Sequence, residues 1–444
     1  MSTARKPLFN RIDSITFMLY LLLVGIGLLA IFSVEHHSTD QSIFIANRSY
    51  TKQAVFFGYA LVLGLFILLT DSKFFSSFAF LGYALGLLVL FITIFAGIDV
   101  KGSRSWLGIG SFRFQPGEVC KIFTALALAK YISLPETNFK RLTSRLIAAG
   151  IALLPAVLIV LQKETGLALV YFCFFLVLYR EGLPNIVLVI GFSAIALVLT
   201  TLLIDRKMLF IMLTVLALLI AFISRQTLRR RMMPRIVLIG TWALCIVFSQ
   251  LAVPFAFKHV LQKHQVDRIY SMLGKDVPDE YDRTAAAAED RGDEKKVNSS
   301  DYNVMQSKIA IGSGGFHGKG FLNGTSTKNQ FVPEQNTDFI FCAIGEQFGF
   351  IGSLLLIAIY VSLLLRIVFI AERQRSTFTR IYAYCVASIL FFHFAVNISM
   401  TIGLAPVIGI TLPFLSYGGS SLLSFSILIF ILLRLDADRQ AMIR

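Results

Sequence analysis

The chain is a succession of long apolar runs separated by shorter polar segments. Crossing a hydrocarbon core of ~30 Å takes about 20 apolar residues in helical form, because lipid offers no partner to an unpaired backbone N–H or C=O. Runs of this kind fall at 15–33, 52–70, 74–97, 118–133, 146–162, 165–180, 186–204, 208–223, 235–257, 339–370, 380–403 and 415–434. The pattern predicts an all-α, polytopic integral membrane protein with about 10–12 transmembrane helices, the shorter ones tilted or re-entrant. The first run follows Arg5, Lys6 and Arg11, exceeds a signal-peptide core and has no small-x-small site after it, so it reads as a retained span.

The polar segments set the sidedness. Arginine and lysine gather in alternate connections: Arg5, Lys6 and Arg11; Lys140, Arg141 and Arg145; Arg225, Arg229, Arg230, Arg231 and Arg235; Arg373, Arg375 and Arg380. Basic loops stay in the cytoplasm, which places both termini there and 34–51, 98–117, 163–164, 258–337 and 404–414 outside. The segment 258–337 is then one large extracytoplasmic loop. Its middle, 275–300, is charged and nearly free of large apolar side chains, and is expected to be mobile. The stretch 309–338 is different: glycines alternate with spaced aromatics and the stretch ends at a span, which suits a site-forming loop.

Composition agrees. The chain is 56% hydrophobic and 15% charged over 444 residues, with mean hydropathy +0.74, whereas soluble domains carry about 25% charged residues. The net charge of +15 raises nucleic acid as a partner. The basic residues, however, sit in short connections between spans, so membrane lipid and no nucleic acid is the expectation. Cys120, Cys173, Cys245, Cys342 and Cys385 lie in or beside apolar runs, with no C-x-x-C and no H-E-x-x-H, so neither a disulfide nor a structural metal is expected. The string GSGGFHGKG at 312–320 follows no predicted strand and lacks the Lys-Ser/Thr pair of a nucleotide loop. No organic cofactor is expected.

Ionisable groups at membrane depth are functional hypotheses by default. Asp338 opens the span FIFCAIGEQFGFIG, and spacing alone leaves it equally a helix N-cap or a catalyst. Glu346 and Cys342 share its helical face and are expected to line one cavity with it. Gly345 and Gly349 form a small-xxx-small step suited to close helix packing. Glu118 and Lys121, at i,i+3, stand at the start of a span as a local ion pair or a polar lining. Lys163-Glu164 interrupts two spans. His393 and Asn397, one turn apart, read as interhelical hydrogen-bonding groups. Trp106, beside Arg104, is an interfacial anchor or a substrate contact. On these residues alone a transporter fits as well as an enzyme acting on a lipid-linked substrate.

Several strings carry a resemblance. GSGGFHGKG (312–320) with Gly324-Thr325, FVPEQNTDFIF (331–341), Gly345-Glu346 with Gly349, LPFLSYGGSS (412–421), Trp106-Leu-Gly with FQPGE (114–118) and Lys121, and QKETG (162–166) together resemble the SEDS family, the shape, elongation, division and sporulation proteins. The landmarks run in family order from about 104 to 421. The GKGF-x-x-GT form is more similar to the elongation branch than to the division branch. Three departures stand out: Gly117 where the family usually has Ser, Lys163-Glu164 for the usual Pro-Asp, and Asn336 for a common His. The family usually has ten spans, so the surplus is an extra helical pair within 186–257 of a single transmembrane domain, 1–444.

The resemblance implies a peptidoglycan glycosyltransferase that polymerises lipid II, the undecaprenyl-linked disaccharide-peptide, outside the bacterial cytoplasmic membrane. Asp338 matches the family's essential aspartate and is the candidate general base. Glu118, Lys121 and Trp106 match positions of the family's cavity; with Arg104, Glu164 and Glu346 they make up the candidate substrate-binding set, and no residue is assigned to a metal. The pyrophosphate leaving group would draw on Lys121, Arg104 or a divalent cation, magnesium or manganese. No transpeptidase machinery is read from the sequence; Ser307-Lys308 lacks the Ser-x-x-Lys spacing. A class B penicillin-binding protein and other cell-wall elongation proteins are the implied partners. A lipid II flippase, or a scaffold for other enzymes, is the alternative.

Overall fold

The computed structural model describes residues 11–36, 45, 48–100, 103–109, 112–261, 263–273, 275, 277–278, 281, 299–329 and 331–439. The terminal stretches expected in the cytoplasm, 1–10 and 440–444, and most of the segment expected to be mobile, 275–300, lie outside the described residues. In chain order the elements are α1 (Ser14–Glu35), α2 (Ser49–Leu69), α3 (Ser72–Ala96), β1 (Ile98–Val100), β2 (Ser103–Ile109), β3 (Phe112–Phe114), α4 (Pro116–Ser133), α5 (Leu142–Leu161) and α6 (Thr165–Arg180). Then come α7 (Asn185–Leu203), α8 (Arg206–Ile223), α9 (Arg225–Arg230), α10 (Met232–His259), α11 (Lys263–Met272), α12 (Ser299–Ser313), α13 (Thr325–Lys328), α14 (Ile340–Glu372), α15 (Thr377–Thr401) and α16 (Gly419–Ala437).

Every apolar run of the sequence is helical. Ten of these helices are long and apolar enough to cross a membrane, and their outward faces carry exposed Phe66, Phe95, Phe192, Phe222 and Met233. So much apolar surface is compatible with lipid and not with water. The chain is a multi-pass helical membrane protein. The two remaining runs are α4, which carries Glu118, Lys121 and Lys130, and α6, which a short 3-10 turn at Tyr171–Cys173 interrupts.

Three features differ from the sequence reading. The segment 98–117, read as a loop expected outside, holds a small antiparallel sheet in the order β1-β2-β3. The loop 258–337 contains α11, α12 and α13. The last helix begins at Gly419 rather than 415, because Phe414 takes a positive φ of 68° and the chain turns there before the helix starts.

The chain divides into two compact units, Met1–Leu183 with Asn303–Arg444, and Pro184–Tyr302. The second unit has its own small core of Leu202, Val253, Phe257, Val266, Tyr270 and Tyr281. In the first unit α15 and α16 are the most enclosed spans; α4 packs on both α3 and α15, α2 lies along α16, and α14 lies on α15 and α1. Helix starts follow local chemistry. Asp13 accepts from Thr16 N–H at 3.0 Å to cap α1, Asp71 accepts from Lys73 N–H at 3.1 Å to cap α3, and Pro116 supplies the preset φ of a first helical turn for α4.

Candidate active site

Side chains alternate along a strand, and β2 uses this to separate two roles. Ser103 and Ser105 are buried, whereas Arg104 is exposed and Trp106 half-buried on the other face. The two hydroxyls donate to Glu164 Oε2 at 2.7 and 3.0 Å. Arg104 N–H donates to the Gln162 carbonyl at 3.0 Å, and Gln162 Nε2 donates to the Leu90 carbonyl at 2.8 Å. Lys163 between them has φ of 64°, uncommon for a residue with a Cβ. That reversal joins α5 to α6 and presents Glu164 to the sheet.

A second polar centre is inside the bundle. Glu118 and Lys121, one turn apart on α4, are 5% and 0% exposed. The Lys121 ammonium pairs with Glu118 Oε2, lies 3.9 Å from the Phe425 ring centroid and approaches His393 Nε2 at 3.4 Å. Three partners match its three N–H donors. At the neighbouring Gly117, one of the departures from the family string, an added Cβ would meet the end of the Leu167 side chain, so a larger residue there requires Leu167 to shift.

Asp338 is half-buried at the entrance to α14, and the N-cap position of that helix is Phe339. Its main chain is held from the C-terminal side of the molecule. Asn397 Nδ2 donates to the carbonyls of Asp338 and Ile410 at 2.8 and 2.7 Å. The Ser416 hydroxyl donates to the Thr337 carbonyl at 2.5 Å and Tyr417 N–H to the Asn336 carbonyl at 2.8 Å. Asn336 itself donates to Glu35 Oε1 at 2.6 Å. Burial, together with the Glu35 carboxylate, raises the Tyr417 phenol above its ordinary range.

Residues 408–411 are the common neighbour of these centres. A Cβ on Gly409, whose φ is 80°, would lie 3.5 Å from Asp338 Oδ2. The Ile408 carbonyl passes over Gly166, where a Cβ would meet it at 2.5 Å, two residues from Glu164. The Thr411 carbonyl lies 3.1 Å from His393 Nδ1, and that ring's other nitrogen faces Lys121.

Glu346 faces elsewhere. Its Oε1 accepts from Lys319 Nζ at 2.7 Å and Ser326 N–H at 2.8 Å, and its Oε2 accepts from both Thr327 N–H and Thr327 Oγ1 at 2.9 Å. The carboxylate thus caps α13 and fastens the 319–327 loop. Cys342 packs in an apolar cluster with Ala310, Val332 and Phe339. The α14 face expected to line a cavity with Asp338 is therefore covered at both positions, each 0% exposed.

The glycines of α14 do two different things. Gly345 lets Ile311 of α12 pack against the helix. Gly349 has φ 64° and ψ −157° and breaks the helix. The glycine-rich loop fills the break with its own backbone: Lys319 and Gly320 N–H donate to the Glu346 and Gln347 carbonyls at 3.0 and 2.9 Å, and the Gly315 and Phe316 carbonyls accept from Phe350 and Ile351 N–H at 2.9 and 3.2 Å. Irregular backbone near a membrane is tolerated where protein supplies the partners.

The structure thus brings Glu118 to Lys121, Glu164 to the strand of Arg104 and Trp106, and Asp338 to the segment that touches both neighbourhoods. Ser103, Ser105, Lys319, Thr327 and Thr411 were given no role from the sequence. The strand alternation around Arg104 and the GKGF-x-x-GT string were the signals available. Among the described residues no three His, Cys, Asp or Glu side chains gather as a metal-binding group.

Comparison with known proteins gives a consistent result. The profile of the FtsW, RodA and SpoVE proteins, described as cell cycle protein, matches residues 13–225 and 180–441. A Treponema pallidum protein named peptidoglycan glycosyltransferase RodA is 32% identical over 456 residues, covering 96% of this chain and 97% of its own. The Escherichia coli K12 protein named peptidoglycan glycosyltransferase MrdB is 30% identical, covering 77% of this chain and 74% of its own. Among solved structures, a chain from a peptidoglycan synthase complex that coordinates polymerization and crosslinking has the same fold, with TM-score 0.65, 23% identity and coverage of 96% and 98%.

Proposed function

This chain belongs to the FtsW/RodA/SpoVE family of cell cycle proteins, and on that premise we propose that it is a peptidoglycan glycosyltransferase of the elongation branch, with Asp338 as general base. It works in the bacterial cytoplasmic membrane. The observation that carries the assignment of the site is the fixing of Asp338: a half-buried carboxylate whose own carbonyl and the two before it are hydrogen-bonded to 397, 416 and 417.

The substrate class is the lipid-linked disaccharide lipid II. The acceptor's 4-hydroxyl oxygen attacks the donor's anomeric carbon, its proton passes to the Asp338 carboxylate, and the bond from that carbon to the undecaprenyl pyrophosphate oxygen breaks with inversion. A hydroxyl is a weak nucleophile at neutral pH, so a positioned base contributes roughly 10²–10⁴-fold. The leaving pyrophosphate needs positive charge. Lys121 has all its donors engaged inside the bundle, so this role falls to Arg104, exposed on β2 beside Trp106. A magnesium or manganese ion, if used, would arrive bound to the pyrophosphate. Glu164 holds the strand that carries Arg104 and Trp106, and Glu118 pairs with Lys121 inside the bundle. Cross-linking belongs to a class B penicillin-binding protein partner, a reading supported by the synthase complex whose chain shares this fold.

The test is polymerisation of labelled lipid II by the purified protein with its transpeptidase partner, wild type beside Asp338→Asn. Glycan ladders in the wild type and a loss of roughly 10²-fold or more in a well-folded Asn variant are expected. Unaltered lipid II from the wild-type complex, or its transfer across a vesicle bilayer, would replace the polymerase with the flippase. Ladders undiminished in the Asn variant would remove Asp338 from its role.

A further inference from the structure

We propose that His393, as the neutral Nδ1–H tautomer, is a positioning residue for glycosyl transfer that holds the Glu118–Lys121 pair and the segment beside Asp338 in one fixed register. The inference rests on the polymerase reading above and concerns the same site.

The tautomer follows from the two neighbours. The Thr411 carbonyl, 3.1 Å from Nδ1, can only accept, so Nδ1 carries the proton. Nε2 faces the Lys121 ammonium at 3.4 Å, which can only donate, so Nε2 offers its lone pair. A protonated ring would put two cations side by side in the bundle. The ring is 1% exposed, and its edge meets the face of Phe425, with centroids 4.8 Å apart and an interplanar angle of 89°. Phe425 is the same ring that lies beneath Lys121. Together these contacts orient the ring between Thr411 and Lys121.

The consequence lies in what the two ends hold. His393 and Asn397, one turn apart on α15, take consecutive carbonyls, those of Thr411 and Ile410, and Asn397 takes that of Asp338 as well. At Gly409, next in line, an added Cβ would lie 3.5 Å from Asp338 Oδ2. On the other side, Lys121 is paired with Glu118, whose carbonyl accepts from Ser424 Oγ at 2.6 Å. His393 is therefore a polar tie between a buried ion pair and the backbone bordering the base. A misplacement of about 1 Å at a reacting group costs up to ~10²-fold in rate, and this tie sits where such a shift would arise. His393 does not touch the reacting atoms, so its loss lowers turnover and leaves substrate affinity.

The experiment compares wild type, His393→Phe, His393→Gln and Asp338→Asn in the same lipid II assay with the partner present, measuring kcat, KM and thermal unfolding. Glutamine retains one donor and one acceptor at similar reach; phenylalanine retains only shape. The expected result is a fall in kcat of roughly 10–100-fold for His393→Phe at an unchanged KM, with His393→Gln within about threefold of wild type. A folded His393→Gln protein with kcat as low as the Phe variant, or His393→Phe with wild-type kcat, would overturn the proposal. If the Phe variant does not fold, His393→Leu takes its place in the comparison and is read by the same criteria. An inactive wild-type complex would instead bring down the polymerase reading, and this inference with it.

Discussion

Replacing Glu346 by Gln separates a loop anchor from a substrate contact. The two carboxylate oxygens receive the backbone N–H groups of Ser326 and Thr327 at 2.8 and 2.9 Å, the Thr327 hydroxyl at 2.9 Å and the Lys319 ammonium at 2.7 Å. Glutamine keeps the shape but turns one oxygen into an NH₂, which only donates. Whichever way the amide is placed, one backbone N–H of α13 then faces another donor. The loss is a charge-assisted hydrogen bond, about 1.5–3 kcal/mol, and a stranded buried N–H, about 1–3 kcal/mol. Lys319 is 27% exposed and returns to water, so its pairing adds little. The sum is about 2.5–6 kcal/mol, a range that brackets the cost of breaking a buried ion pair. Thermal unfolding of the purified protein should show a clearly lowered midpoint, with the KM for lipid II unchanged in the fraction that stays folded. A Gln variant that melts with the wild type but shows a tenfold higher KM would refute the reasoning and return Glu346 to the substrate.

Gly349→Ala places a Cβ 2.8 Å from the Phe316 backbone at a φ of 64°. Strain of this kind costs about 1–3 kcal/mol before any clash, so a lower midpoint and lower yield are expected, and an unchanged melt would mean that the loop does not abut the helix there. Burial would raise the Asp13 carboxyl, but hydrogen bonds from Arg366 and Thr16 outweigh it and hold the group well below the ordinary carboxylate range. Its folded value lies below its unfolded one, so its stabilisation is present at neutral pH and is lost as pH falls below about 4. Asp13→Asn should lower the midpoint at pH 7 and flatten its decline in acid; a decline as steep as the wild type's would assign the acid limb to other groups.

The spans were legible because twenty-residue apolar runs have few alternatives in water or lipid. Asp338 was not legible from spacing, which left cap and catalyst level; resemblance chose the catalyst, and the structure puts Phe339 at the cap position. Glu346 looked like a companion of Asp338 by helical period, yet its partners come from 319–327, in a loop that periodicity does not describe. The contact between His393 and Lys121 joins residues 272 apart in sequence, and that between Tyr20 and Ser426 joins residues 406 apart. No local pattern encodes such pairs. The sheet at 98–114 was missed because its strands are short, and 98–117 was read only as a connection between spans. Gly349 looked like packing because a positive φ leaves no mark on sequence.

The break at Gly349 also bears on how the protein is made. The loop that completes α14 precedes it in the chain, so 315–320 leaves the ribosome before 346–351 does. When α14 enters the membrane, the carbonyls of Glu346 and Gln347 and the amides of Phe350 and Ile351 still await those earlier residues. Insertion alone therefore cannot produce the native break in this span. Its last hydrogen bonds form only when a segment already translated folds back onto it, so a fault in the glycine-rich loop would surface as a defect in the biogenesis of the helix that follows.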